Sequence, residues 1–168
     1  MRRSAGRVAS QPAPEPPQCA AQKRLSAGPS ARYWRAMSQE NVEIVQRHIE
    51  AWNRADLTAF LAAFRSDAEI DWSRARALYK GVYRGRGGQE AFWDEFWSTF
   101  EASELEVHDL TGAGSEVVLW NTAHMRGRDG IEVTARSALV YTVENGKITR
   151  LRLFQERAEA LEAVGLSE

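Results

Sequence analysis

Two periodicities divide the chain. Up to about residue 101 the apolar positions recur at helical spacing, and beyond it they follow strand-like runs. Val42, Val45, Ile49 and Trp52 make one stripe and predict a helix from about Gln39 to Arg54. Leu57, Phe60, Leu61 and Phe64 follow at i, i+3, i+4 and i+7 and predict a second helix. Asp56 is placed to cap it, its carboxylate accepting the free N–H groups of the first turn. Helices joined this closely fold together as a lid. Asp67 to Trp72 then reads as a short strand. Arg74 to Gly88 reads as irregular, because Gly81, Gly85, Gly87 and Gly88 interrupt it. Phe92, Trp93, Phe96, Trp97 and Phe100 give a third helix, from about Gln89 to Glu101, with a broad aromatic face.

The strand runs are Leu105 to Thr111, Glu116 to Arg128, Ile131 to Val143 and Lys147 to Glu156. Gly112-Ala113-Gly114, Asp129-Gly130 and Asn145-Gly146 punctuate them as turns. Ala158 to Val164 reads as a short closing helix ended by Gly165. The order ααβαββββα implies antiparallel hairpins with helices on one face, an α+β domain.

Composition separates a tail from this body. All five prolines lie in residues 1–36, among Ala, Ser, Gln and Arg without periodicity. That segment is expected to be a disordered tail, an extension from an upstream start codon, with Met37 as the natural start. Ser38 would then cap the first helix, and Glu40 would complement its dipole. The tail holds seven basic residues against one acid. Residues 37–168 hold fifteen against twenty-two, a balance of −7. An acidic body argues against a nucleic-acid surface. Cys19, the only cysteine, lies in the tail, so neither an internal disulfide nor a cysteine metal site is expected. This suits a reducing compartment, and a cytoplasmic location is expected. No apolar run approaches the ~20 residues of a membrane span.

Several of these stretches match a known family. Val42-x-x-Val-x-x-x-Ile-x-x-Trp-Asn-Arg-x-Asp-Leu, Ser66-Asp-Ala-Glu-Ile-Asp-Trp, Tyr83-Arg-Gly-Arg and Glu144-Asn-Gly-Lys-Ile resemble the SnoaL-like group of the nuclear transport factor 2-like superfamily. The resemblance covers residues 37–168. It implies a strongly bent antiparallel sheet forming a cone around a pocket roofed by helices. It also implies a homodimer through the outer face of the sheet. One such pocket hosts many chemistries, so the resemblance does not name a reaction. Ketosteroid isomerases of the superfamily use a helix tyrosine, a strand-end aspartate and a late-strand aspartic acid. Those positions fall here at His48, Trp72 and Ala138, so that base is lost. In polyketide cyclases a strand histidine corresponds to His124, and the accompanying acid again falls near Ala138. The Asp-Arg-Asp trio of limonene-epoxide-hydrolase-like members has no counterpart.

The candidate site follows from both lines. His48 shares the buried stripe of Val45 and Trp52. It is either a general acid, base or donor at the pocket floor or a buried ring hydrogen-bonded to a neighbour. His124 shares a strand face with Trp120 and Thr122, which lines the cone on the family analogy or else faces a second copy. Asp71 is a substitute carboxylate or a solvated strand end. Strand alternation lets only one of Asp71 and Trp72 point inward. Arg136, on the face of Ala138 and Val140, would bind an anionic group if that face is internal. Tyr79 and Tyr83 are placed at the mouth. Trp52, Phe64, Trp72, Phe96 and Trp120 complete an apolar pocket for a small hydrophobic molecule. No cofactor is expected. His48, His108 and His124 lack the spacing of a metal pair, and Gly85-x-Gly87-Gly88 lacks the Lys-Ser/Thr of a phosphate loop. The functions these residues allow are cofactor-free acid–base chemistry on an apolar substrate, or binding and dimerisation alone. A further expectation, that the sheet is apolar on both faces, sets Leu139, Tyr141, Val143 and Phe154 opposite the pocket-side residues Val140, Leu151 and Leu153.

Overall fold

A computed structural model describes residues 31–77 and 79–167, with side chains from residue 37. Helix α1 (Ala31–Asn53) leads directly into α2 (Leu57–Ala63). Asp56 caps α2 as expected, its Oδ1 accepting from the Ala59 N–H at 2.9 Å. Strands β1 (Phe64–Asp71) and β2 (Val82–Arg84) precede α3 (Gly85–Thr99). Four long strands follow: β3 (Phe100–Ala113), β4 (Glu116–Gly127), β5 (Glu132–Glu144) and β6 (Lys147–Phe154). Helix α4 (Arg157–Ala163) closes the chain. Gly165 follows it at φ +76°, the left-handed C-terminal cap.

The strands form one open sheet in the order β2-β1-β6-β5-β4-β3. Every pairing is antiparallel except β1 with β6, which is parallel. That pairing corrects the expectation of antiparallel hairpins throughout. It joins segments about eighty residues apart, and no turn between them advertises it. Two helix starts also move. Helix α1 begins at Ala31, so Ser38 lies inside it and cannot be its cap. Residues 1–30 of the expected tail lie outside the described residues. The glycine-rich stretch, expected to be irregular, opens α3. Gly88 is needed there for close packing: a Cβ at this position would stand 2.9 Å from the Tyr83 carbonyl carbon. Strand β2, folded back on β1, was not foreseen.

Helices α1, α2 and α3 lie on the inner face. Their aromatic side chains meet the inward residues of the sheet in one core containing Phe60, Phe92, Trp93, Leu119, Leu139, Tyr141 and Ile148. Two side chains of α1 fix it to the edge strand. Trp52 donates its indole N–H to Ser103 Oγ at 3.1 Å. Asn53 behaves as one more residue of the sheet. Its Nδ2 donates to the Leu105 carbonyl at 3.2 Å, and its Oδ1 accepts from the Leu105 N–H at 2.8 Å. The outer face carries a smaller apolar cluster of Val118, Ala138, Val140 and Phe154, covered by Ala160 and Leu161 of α4. The apolar part of the outer face is therefore covered within the chain itself. No described helix is long and apolar enough to cross a membrane.

Candidate functional site

Inside the bend of the sheet lies a cavity of about 910 Å³. Strand alternation decides what faces it. On β4 the inward residues that line it are Asn121, Ala123 and Met125, with Leu119 beyond them in the packed core. On β5 they are Tyr141, Leu139, Ser137 and Val133. Helix α1 contributes His48, Ile49 and Trp52, α3 contributes Phe92 and Phe96, and β6 contributes Leu151 and Leu153. The charged residues that reach the cavity, among those described, are Arg76, Arg136 and Glu156. All three stand at its opening, where β5 runs past the end of β6.

His48 is fully buried against three rings: Phe60 at 4.8 Å, Phe64 edge-on at 5.0 Å and Tyr141 edge-on at 5.6 Å between centroids. Burial pushes its pKa down to about 3, so the imidazole is neutral. Its Nδ1 has no partner among the described residues. Neither of the two simple expectations for this residue is complete, because the ring is buried without the neighbouring hydrogen bond that usually accompanies burial. Trp52, Trp72, Tyr79 and Phe96 also line the cavity. Burial raises the Tyr79 hydroxyl, with the nearby Tyr83 adding to it.

Other candidates sit elsewhere. His124 lies on the outer face, half exposed, its Nε2 2.9 Å from Glu106 Oε2. Trp120 and Arg136 alternate onto that face too, although both still border the cavity. Leu139, Tyr141 and Val143 point inward and Val140 outward, the reverse of the expected assignment, whereas Phe154 lies outward and Leu151 and Leu153 inward as expected. The misreading has a physical cause. Residues 138–141, Ala-Leu-Val-Tyr, form an unbroken apolar run because the inner helices cover one face and α4 the other. Alternation therefore carries no sign there. Asp71 does not line the cavity, whereas Trp72 does. Burial favours the neutral form of Asp71, but the Ser73 hydroxyl and amide, with Arg150 3.8 Å away, hold its carboxyl below the ordinary range. Phe64 is core, one ring behind the cavity wall. Tyr83 hydrogen-bonds to Glu95 outside the cavity, and burial followed by that contact pushes its hydroxyl up to about 12. No cluster of three metal-ligating side chains occurs among the described residues.

The sequence reading missed Tyr141, Asn121, Ser137 and Ser103. Asn121 had a visible signal, an amide inside the apolar run Val-Val-Leu-Trp-Asn. Its Nδ2 donates to the Ser137 carbonyl at 3.2 Å, and its Oδ1 is buried without a partner.

Comparison with known proteins points one way. The most similar solved structures include a nuclear transport factor 2-like protein of unknown function from Burkholderia pseudomallei. It shares 22% identity, covers 74% of this chain and 97% of that one, and aligns with a TM-score of 0.64. TerC, crystallised with polyporic acid, shares 18% identity over 75% and 98% of the two chains, with a TM-score of 0.63. The epoxide hydrolase/cyclase-like enzyme SalBIII, of pyran ring formation in salinomycin, shares 23% over 71% and 92%, with a TM-score of 0.60. At these identities the likeness shows the fold alone. No match is found among curated proteins. The model of the SnoaL-like domain matches residues 45–151. This span runs from the buried stripe of α1 to the inward leucine of β6, and the chain belongs to the SnoaL-like domain family.

Proposed function

We propose that the chain binds a small, uncharged hydrophobic molecule in the cavity inside its sheet. The observation that carries this is the sorting of charge: aromatic and aliphatic side chains form the walls, and ionised ones stand only at the opening. An apolar ligand recovers its transfer free energy there, while a buried ionic group would meet no counter-charge. Thermal shift against apolar ketones, epoxides and polyketide fragments tests the reading. A ligand at 100 times its dissociation constant should add about 2.7 kcal/mol to stability. No shift with any of them would sink it.

A second reading, cofactor-free acid–base chemistry on that ligand, is favoured by the neutral, incompletely partnered imidazole of His48 on the cavity wall. His48 would serve as hydrogen-bond donor or weak base, since an imidazole this hard to protonate is a poor general acid near neutrality. Deuterium exchange at the carbon beside the carbonyl of a bound ketone, followed by NMR, tests it. Exchange should occur with the wild type and stop in His48→Phe.

Self-association through the outer face belongs to the same proposal, in narrower form. With α4 over the apolar part, a second copy would meet the polar part. Glu104 and Glu106 of β3 and Arg126 and Arg136 beyond them could oppose one another across a two-fold axis.

A further inference from the structure

The inward polar groups of the cavity differ in whether they are already engaged. Ser103 Oγ accepts the Trp52 indole N–H, and the Asn121 amide donates to the Ser137 carbonyl. Tyr141 is not engaged. Its side chain projects from β5 between strand neighbours Val117 and Leu151, both apolar, and its ring packs edge-on against that of His48 on the cavity wall, 5.6 Å between centroids. Its hydroxyl hydrogen-bonds to no described residue. The polar atoms that are sealed off without a partner are His48 Nδ1, Gln89 Oε1, Trp97 Nε1, Asn121 Oδ1 and Arg152 Nε; the Tyr141 hydroxyl is not among them. A buried tyrosine ordinarily finds a partner for its O–H. The remaining place for one is the cavity.

We infer that Tyr141 hydrogen-bonds to a neutral acceptor oxygen at the buried end of an otherwise apolar ligand. The inference rests on the proposed binding function and adds an orientation and a ligand class to it. Burial holds the Tyr141 hydroxyl well above its ordinary pKa, so it remains a donor. With His48 also neutral and Arg76, Arg136 and Glu156 all at the opening, a carboxylate or phosphate at the deep end would have no cation beside it. A carbonyl, ether or hydroxyl oxygen fits where an ionised head does not. The ligand then enters oxygen first, with its apolar body against Trp52 and Phe96.

The test is a matched pair of probes, α-tetralone and its hydrocarbon tetralin, titrated calorimetrically into wild-type protein and Tyr141→Phe. The variant removes one oxygen from a residue whose ring packing is kept. The ratio of tetralone to tetralin affinity should fall about two- to tenfold in the variant, the net worth of one hydrogen bond, with tetralin affinity unchanged. An unchanged ratio overturns the inference and leaves the binding function standing. Failure of the wild type to take up either probe overturns the binding function and the inference with it. The infrared carbonyl band of tetralone bound to the wild type gives a second measurement that needs no variant. It should lie below its position in cyclohexane, and a band at the cyclohexane position overturns the inference.

Discussion

On the inner face of the β4–β5 hairpin, Asn121, Leu139 and Tyr141 are sealed beneath three helices. On the outer face of the same two strands, His124 and Arg136 stand in water and Thr122 accompanies His108. The strands, register and twist are shared, yet the physics differs. Inside, packing and desolvation decide: a histidine loses its proton and a tyrosine keeps its own. Outside, charges meet in a high-dielectric medium, where ion pairs such as Arg126 with Glu101 contribute little. Chemistry that depends on a perturbed group therefore belongs to the inner face, even though the outer one displays more ionisable side chains.

The largest effect expected from that contrast is mechanical. Phe60 of α2 touches the rings of His48, Trp52, Phe64 and Trp93 and is almost wholly buried. Phe60→Ala should cost about 3–5 kcal/mol in urea denaturation, as large-to-small changes at filled aromatic sites do. A loss under about 1 kcal/mol would mean that the inner face is loosely packed and that burial there does not set the chemistry.

Next in size is the acid response of His48. Its folded pKa, about 3, lies below the 6.5 of an ordinary histidine. Between these values the unfolded chain binds a proton that the folded chain refuses. The stability tied to the neutral ring is thus complete above about pH 6.5 and is lost as pH falls toward 3. Carboxylates held low by partners, such as Asp109 by Arg157 and Glu106 by His124, contribute only at lower pH. Between about pH 6.5 and 4.5 the wild type should therefore lose stability with a slope approaching 1.4 kcal/mol per pH unit from this residue. His48→Phe should fold and show a flatter profile there. Parallel profiles for the two proteins would show that His48 is solvated.

How much of this contrast is written in the sequence depends on the element. The helical stripes were legible because α1, α2 and α3 each have one wet face, so period and direction can both be read. Buried His48 followed from its place between Val45 and Trp52, and Trp72 was correctly one of a mutually exclusive pair with Asp71. The faces of β4 and β5 were not legible, since cover on both sides erases alternation. His124 was drawn inward on analogy, Arg136 was tied to a strand face that turns outward although it still borders the cavity, and Tyr141 was lost to the outer face. The parallel β1–β6 pairing depends on contacts remote in sequence, which no local pattern encodes.

Where the two faces meet, at the edge strand, the expected effect is intermediate. Asn53 satisfies both backbone groups of Leu105, and Asn53→Ala frees them to water at an exposed edge. A loss of about 1–2 kcal/mol is expected, two ordinary hydrogen bonds discounted for exposure. Hydrogen exchange at the Leu105 amide should accelerate more than that of core amides. Unchanged exchange at Leu105 would show that α1 is held by its aromatic packing and that the amide strap adds nothing.

The smallest effect concerns the outer face alone. Two copies meeting there would be joined by mixed charges instead of an apolar core, because α4 already covers Val118, Val140 and Phe154. Such contacts are steered and stabilised by electrostatics that salt screens within about 10 Å at 0.1 M. Light scattering at low salt should then give a mass near that of two chains, falling toward one as salt is added. Arg136→Glu should lower the salt concentration at which this happens and leave urea stability within about 0.5 kcal/mol, as surface changes away from packed features do. A monomer mass at micromolar concentration in low salt would remove the second copy from this face. A dimer indifferent to salt and to Arg136→Glu would place the contact elsewhere. In both cases the charged outer residues would be left as solvated surface, and the difference between the two faces would be larger than proposed.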